Sequence, residues 1–359
     1  MGVSDWFRQR KERQPIPSDV LEVAPPEVLP RRLGKYLLIE RAGMGMLGRE
    51  YVSVVLSKGT RSSPSWPQRD DFLLLTPVAA EIVEASPDYV SMVLNEAQLV
   101  LRFSHANLCP IVDIGWIGKT AFVAAGWLSG VRVPKLQAKV EPRQPLPWQV
   151  AAHLTSEVCA GLAYLHGFVG NEGEPFHCKH HRIEPWEVAL DFEGGIRLAN
   201  VGTLDPRRHM PAMPSTFVCK HPYLSPEAVE GQEMGLASDI FAAGQLLYET
   251  ATGSRMFTGK SDLELIGQIR DVDFVAPRKV TPNLPEKIET IIIRATQKDP
   301  DERFYHVSDL SAELETLVDR DEGRASLLGL MKEHLWADME EEQQNVARWH
   351  DLARKSWPA

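Results

Sequence analysis

The sequence is poor in cysteine, in long apolar runs and, locally, in positive charge. Its four cysteines, Cys109, Cys159, Cys178 and Cys219, stand far apart with no CxxC spacing. That excludes the paired-thiol motifs of zinc ribbons and thioredoxin-like centres, and it reads as reduced thiols. No run of 18 apolar residues occurs, so no membrane-spanning helix is expected. The opening MGVSDWF lacks the charged-then-apolar order of a signal peptide, and Trp6 breaks the myristoylation pattern. Acidic residues outnumber basic ones, 49 to 39, for a formal net charge of −10. That balance argues against a nucleic-acid partner, which calls for a basic face. From Asp71 to Leu101 there is no lysine or arginine at all. A cytoplasmic protein is the expectation.

What is present divides the chain into four stretches. Residues 1–33 are charged and then proline-rich, a composition that suits an extended tail rather than a helix or inner strand. Residues 34–128 favour strands. KYLLIERAG and EYVSVVLSKG read as a hairpin, DFLLLTPV as a third strand, and CPIVDIGWIG and TAFVAAGWL as two more. Between them, PDYVSMVLNEAQLVLRFSH carries Val90, Val93, Leu94, Ala97 and Val100 at helical spacing. Residues 129–320 turn helical, with PWQVAAHLTSEVCAGLAYLHGF amphipathic and ASDIFAAGQLLYETATG apolar and ended by Gly253. EVALDFEGGIRLANVG is a short hairpin. Residues 321–359 place Leu328, Met331, Leu335, Met339, Val346, Trp349 and Leu352 on one side of an amphipathic helix. That stripe suits either its own body or a docking partner.

Five strands with one helix, followed by a helical lobe, resembles the bacterial serine/threonine protein kinase family from about Gly34 to Arg320. YLSPEAV (Tyr223 to Val229) is similar to the family's Ala-Pro-Glu segment, with Ser225 in the alanine position. SDIFAAGQLLYETATG resembles the helix with a buried aspartate, here Asp239, and KDPDERF the late motif whose arginine, here Arg303, pairs with Glu227. The resemblance implies an α+β, two-lobed fold. Its N-lobe would be a five-stranded antiparallel sheet plus one helix, and its C-lobe mainly helical.

The chemical positions implied by the resemblance are substituted. The glycine loop reads Gly43-Met-Gly45-Met-Leu-Gly48, which could let backbone amides approach phosphate or could simply turn the chain. Glu50 stands where an apolar lid over the base is the family pattern. The third-strand lysine falls on Leu75 or Thr76, leaving Glu96 of the helix without its cation; Arg49 and Lys58 are the nearby substitutes. Arg182 replaces the proton-accepting aspartate, and an arginine cannot act as a base. Glu184 replaces the loop lysine, Glu187 the metal-binding asparagine, Asn200 the main metal carboxylate, and Lys220 a later threonine.

These losses predict a protein-kinase-like chain without phosphoryl transfer, a scaffold or allosteric partner with no cofactor and no metal. The alternatives are a nucleotide-binding module using Gly43, Gly45 and Gly48, or an atypical phosphotransferase with a rearranged cleft. ATP and magnesium belong to those alternatives, because the swaps at 187 and 200 keep one carboxylate and one amide. A closed network of Arg182 with Glu184 or Glu187 is the competing arrangement. Protein partners are expected through residues 321–359, with Trp336, Trp349 and Trp357, or through the proline-rich tail. Ser215 and Thr216, in the matching activation loop, read as ordinary hydroxyls or as sites for another kinase.

Overall fold

A computed structural model describes residues 28–44, 49–56, 71–78, 94, 100–140, 144–169, 173, 176, 178–181, 183–201 and 222–356. Strands β1 (Arg31–Leu33), β2 (Tyr36–Met44), β3 (Arg49–Val55), β4 (Phe72–Pro77), β5 (Ile111–Ile117) and β6 (Thr120–Gly126) make one sheet in the order β1-β2-β3-β4-β6-β5. Every neighbouring pair is antiparallel. The sheet therefore has one strand more than the five expected. The extra strand is β1, at the end of the proline-rich stretch, where Arg31 pairs with Leu38.

Alternation along these strands sorts the side chains onto two faces. The outer face gathers Tyr36, Leu38, Tyr51, Val55, Leu73, Leu75, Phe122 and Ala124. The inner face carries Leu37, Ile39, Val52 and Val54 at one end, and Val78, Ala121 and Val123 packed with Leu94 at the other. Leu94 and Val100 are helical, in line with the periodicity of that segment; Glu96 lies outside the described residues.

Trp127 leads out of the sheet into β7 (Gly130–Arg132), α1 (Val133–Val140) and α2 (Trp148–His166). A 3-10 turn at Pro185–Glu187 opens β8 (Val188–Asp191), and β9 (Ile196–Leu198) completes a second, three-stranded sheet in the order β7-β8-β9. Helices α3 (Pro226–Val229), α4 (Leu236–Thr252), α5 (Asp262–Asp271), α6 (Pro277–Val280), α7 (Glu286–Ala295) and α8 (Val307–Glu315) complete the helical lobe. Its core joins Val150, Leu154 and Leu162 of α2 to Phe241, Leu246 and Leu247 of α4. The apolar α4 is buried along nearly its whole length and ends at Gly253, whose φ of 70° suits glycine.

The C-terminal stretch is two helices, α9 (Arg320–His334) and α10 (Trp336–Ser356), broken at the fully buried Leu335. The break follows from two different hosts. Leu327, Met331 and Leu335 join the helical-lobe core, where Gly323 lets α9 approach so closely that a Cβ there would lie 2.5 Å from His153. The buried Trp349 of α10 instead joins the inner face of the large sheet, edge-on to Phe72 and Trp127 with ring centroids 5.6 and 5.2 Å away. Polar contacts flank it. Asp338 pairs with Lys135 at 2.5 Å, Trp127 Nε1 donates to Glu342 at 3.0 Å, and Trp349 Nε1 donates to Glu40 at 2.7 Å. Helix α10 thus bridges α1 of one lobe and β2 of the other, past the connecting segment. Among the described residues no helix is long and apolar enough to cross a membrane.

Candidate active site

The loop from His180 to Glu187 is shaped by one buried carboxylate. Asp239, in the first turn of α4, accepts from the backbone N–H of His180 at 2.8 Å and of His181 at 2.7 Å. Its Oδ2 also lies 2.9 Å from His166 Nε2. Three polar partners satisfy a group that would otherwise be costly to bury. Burial raises the Asp239 pKa, but the His166 hydrogen bond and the fields of His181, His166 and His180 outweigh it and hold the carboxyl below its ordinary range. His181 takes a left-handed φ of 63°, and the His180 ring reaches the Ala199 carbonyl at 2.9 Å. The loop is thereby tied both to α4 and to the segment after β9.

That second tie brings the substituted positions together. Glu187, 3% exposed, ends the 3-10 turn, and Asn200 follows β9 with a left-handed φ of 56°. Asn200 Nδ2 donates to Glu187 Oε2 at 2.6 Å, and Ala199 N–H donates to the Glu187 carbonyl at 2.8 Å. One carboxylate and one amide therefore share a single point at the cleft. Glu184 stands just before the turn, its carbonyl accepting from Glu187 N–H at 2.8 Å. Its charge acts on the Tyr223–Glu249 pair behind the loop. Burial raises the Glu249 pKa, with Glu184 adding to the rise against the Tyr223 hydrogen bond and Arg255. Arg182, Gly45, Gly48, Lys58, Ser215, Thr216 and Lys220 lie outside the described residues.

The strand position resolves by register. Leu75 is fully buried in the outer-face cluster, whereas Thr76 pairs with Val123 and shares its inner face. Of the two, Thr76 is therefore the residue on the face that packs with Leu94, and it carries no cation. Arg49 pairs with Met44 beside the glycine turn. Gly43 lies against Glu50: a Cβ there would sit 3.5 Å from the Glu50 carboxylate. Burial raises the Glu50 pKa, and the charge of Arg132 opposes that rise. Arg132 had no motif to announce it. It ends β7 on the floor of the cleft, with Nη1 3.4 Å from the Glu187 carbonyl.

The scaffold pair is also in place. Arg303 makes two hydrogen bonds to Glu227, at 3.0 and 2.8 Å, and Ser238 Oγ donates to the same carboxylate at 2.6 Å. Burial raises the Glu227 pKa, but these bonds outweigh it and lower it overall.

Residues 78–312, more than half of the chain, match the model of the protein kinase domain. The chain belongs to the protein kinase domain family. It is 27% identical over 235 residues to a tyrosine-protein kinase, MasK, of Myxococcus xanthus, covering 65% of this chain and 36% of that one. It is 24% identical over 300 residues to the serine/threonine-protein kinase PrkC of Bacillus subtilis, covering 80% and 41%. With PkaA of Streptomyces coelicolor, also a serine/threonine-protein kinase, the identity is 29% over 273 residues, covering 75% and 47%. The chain thus spans less than half the length of each of these relatives. The crystal structure of the Mycobacterium tuberculosis PknI kinase domain superposes with a TM-score of 0.58 at 16% identity, over 81% of this chain and 98% of that one, a likeness of fold.

These matches bear out the bacterial kinase-like family and the two-lobed α+β fold. They correct the expectation that the chain is not an enzyme. The family model and relatives named as kinases point to a kinase enzyme, and the substituted residues do not outweigh that. Substitution at a motif position changes how a site works; by itself it does not show that the site is silent.

Proposed function

We propose that the chain is a nucleotide-binding kinase-family domain that transfers phosphate through a rearranged cleft, with Glu187 and Asn200 as its magnesium seat. The observation that carries this reading is the 2.6 Å contact between the two side chains. Exchanging asparagine and aspartate for glutamate and asparagine swaps the two chemistries between the two positions and keeps their sum. Magnesium is held in such sites by one or two carboxylates plus waters and phosphate oxygens, so this donor set fits it. Bound there, the metal would supply neutralising charge to the phosphates. Gly43, Gly45 and Gly48 would bring backbone amides to the same end of the nucleotide.

The chain's own residues then account for rate and geometry. Phosphoryl transfer depends mainly on positioning and electrostatics rather than on covalent chemistry by the protein. Arg182 cannot accept the acceptor's proton, which lowers the rate by a factor on the order of 10²–10⁴. Slow transfer is the expected behaviour. The acceptor class is a protein hydroxyl, as in kinases of this family, and a cytoplasmic setting supplies the ATP. A protein partner belongs to the same reading, with the proline-rich residues 1–33 as the candidate segment.

The test is incubation of the full chain with γ-labelled ATP, magnesium and generic protein acceptors. Slow labelling that Glu187→Gln abolishes supports the reading. No labelling by the wild-type chain, or labelling indifferent to Glu187→Gln, counts against it.

A further inference from the structure

The second sheet carries two arginines in one row. Arg132 on β7 pairs with Ala189 on β8, and Ala189 pairs with Arg197 on β9. Residues directly opposite one another in antiparallel strands share a face. The adjacent row, Val131, Leu190 and Ile196, is buried in the helical-lobe core. The arginine row must therefore face away from that core, toward the large sheet. Two electrostatic couplings agree. The charge of Arg132 acts on Glu50 of β3, and both arginines act on Cys109, which joins the lobes by donating its N–H to the Leu198 carbonyl at 2.9 Å.

Neither arginine is locked by a strong pair. Arg132 reaches the Glu187 carbonyl at 3.4 Å, the outer limit of a hydrogen bond, and Arg197 lies 3.7 Å from Asp191. Asp191 is anchored to the turn through its other oxygen, Oδ1, which accepts from Gly195 N–H at 2.6 Å and Glu193 N–H at 3.1 Å, and only Oδ2 faces Arg197. Ala189, between the arginines, is itself buried and offers them neither a polar partner nor a bulky side chain. A guanidinium is always charged and presents a planar fork that suits phosphate oxygens.

Resting on the nucleotide-binding reading and deepening it, we propose that Arg132 and Arg197 form an anion site on the cleft floor that takes the phosphate groups of the nucleotide. The positive charge absent from Thr76 on β4 is supplied from the opposite wall of the cleft. Glu50 overhead competes with the ligand for Arg132. Removing the two arginines weakens binding, and removing the Glu50 charge strengthens it. That opposition of sign separates the proposal from simple damage to the fold, because a partly unfolded chain does not bind more tightly.

Calorimetric titration of the full chain with ATP, and separately with inorganic tripolyphosphate, tests this. Arg132→Met and Arg197→Met, which keep the aliphatic stem, should each weaken both ligands about tenfold. Arg132→Lys should recover part of the loss, and Glu50→Gln should tighten binding about threefold. Thermal unfolding without ligand checks that each variant is folded. If the wild-type chain binds ATP and the methionine variants match it within about twofold, the floor site is refuted while the nucleotide reading stands. If tripolyphosphate follows the expected order and ATP does not bind, the floor site stands and the nucleotide reading falls. If the wild-type chain binds neither ligand, both are refuted.

Discussion

Glu227 and Glu187 are both buried glutamates, and the difference between their partners separates the scaffold from the cleft. Glu227 faces Arg303, whose side chain is fully buried, through two hydrogen bonds, with Ser238 as a third donor. Glu187 shares its carboxylate with Asn200, a neutral amide whose own oxygen is an acceptor. The first arrangement matches a charge with a charge and fixes geometry. The second sets a neutral amide N–H against the carboxylate, a hydrogen bond between two side chains that can each also offer an oxygen to a cation. Asp239 belongs with the first kind, gathering the backbone of His180 and His181.

The sharpest way to break this contrast is to remove one partner from each pair. Arg303→Ala leaves a buried carboxylate without its cation and should cost about 3–5 kcal/mol in urea unfolding. Glu187→Gln keeps the shape and an acceptor oxygen, and should cost no more than about 1.5 kcal/mol. Equal costs would erase the distinction. Trp349→Ala comes next, at about 3–5 kcal/mol for a buried tryptophan. Its effect should fall on the β-sheet lobe, seen as faster amide exchange in β2–β4 than in α4. Exchange that rises equally in both lobes would deny α10 its particular seat on the sheet.

The pH dependence sharpens the same comparison at smaller scale. Asp239 and Glu227 have carboxyl pKa values held below the ordinary range. Their contribution is complete above about pH 4–4.5 and is lost as pH falls further, at roughly 1.4 kcal/mol per pH unit for each proton taken up. Glu249 runs the other way. Its raised pKa makes the folded chain less stable as pH climbs from about 4.5 toward that raised value. Acid unfolding curves of Asp239→Asn and Glu249→Gln should therefore shift oppositely, the first flattening the acid limb and the second removing the loss at higher pH.

How much was legible in the sequence follows the range of each interaction. Glu227, Asp239 and Arg303 sit in contiguous motifs, so their residue types and order sufficed to place them. Gly253 could be read as a helix end for the same local reason. The choice between Leu75 and Thr76 needed strand register, because adjacent residues differ only in which face they take. Arg132 and Arg197 lie 65 positions apart and meet only through Ala189, so no spacing rule could find them. The apolar spacing of residues 321–359 marked the helical stripe, but not the break at Leu335 or the division of the stripe between two lobes. Strand β1 was missed because prolines dominate the stretch that precedes it.

The Glu187–Asn200 pair is the proposed magnesium seat for a bound nucleotide. Its most direct test is the ATP affinity of the full chain with and without magnesium, measured by calorimetry for wild type and Glu187→Gln. Magnesium should strengthen ATP binding to the wild-type chain about tenfold or more, and Glu187→Gln should remove most of that gain. ATP binding that ignores magnesium, or a gain that survives in Glu187→Gln, would contradict that seat.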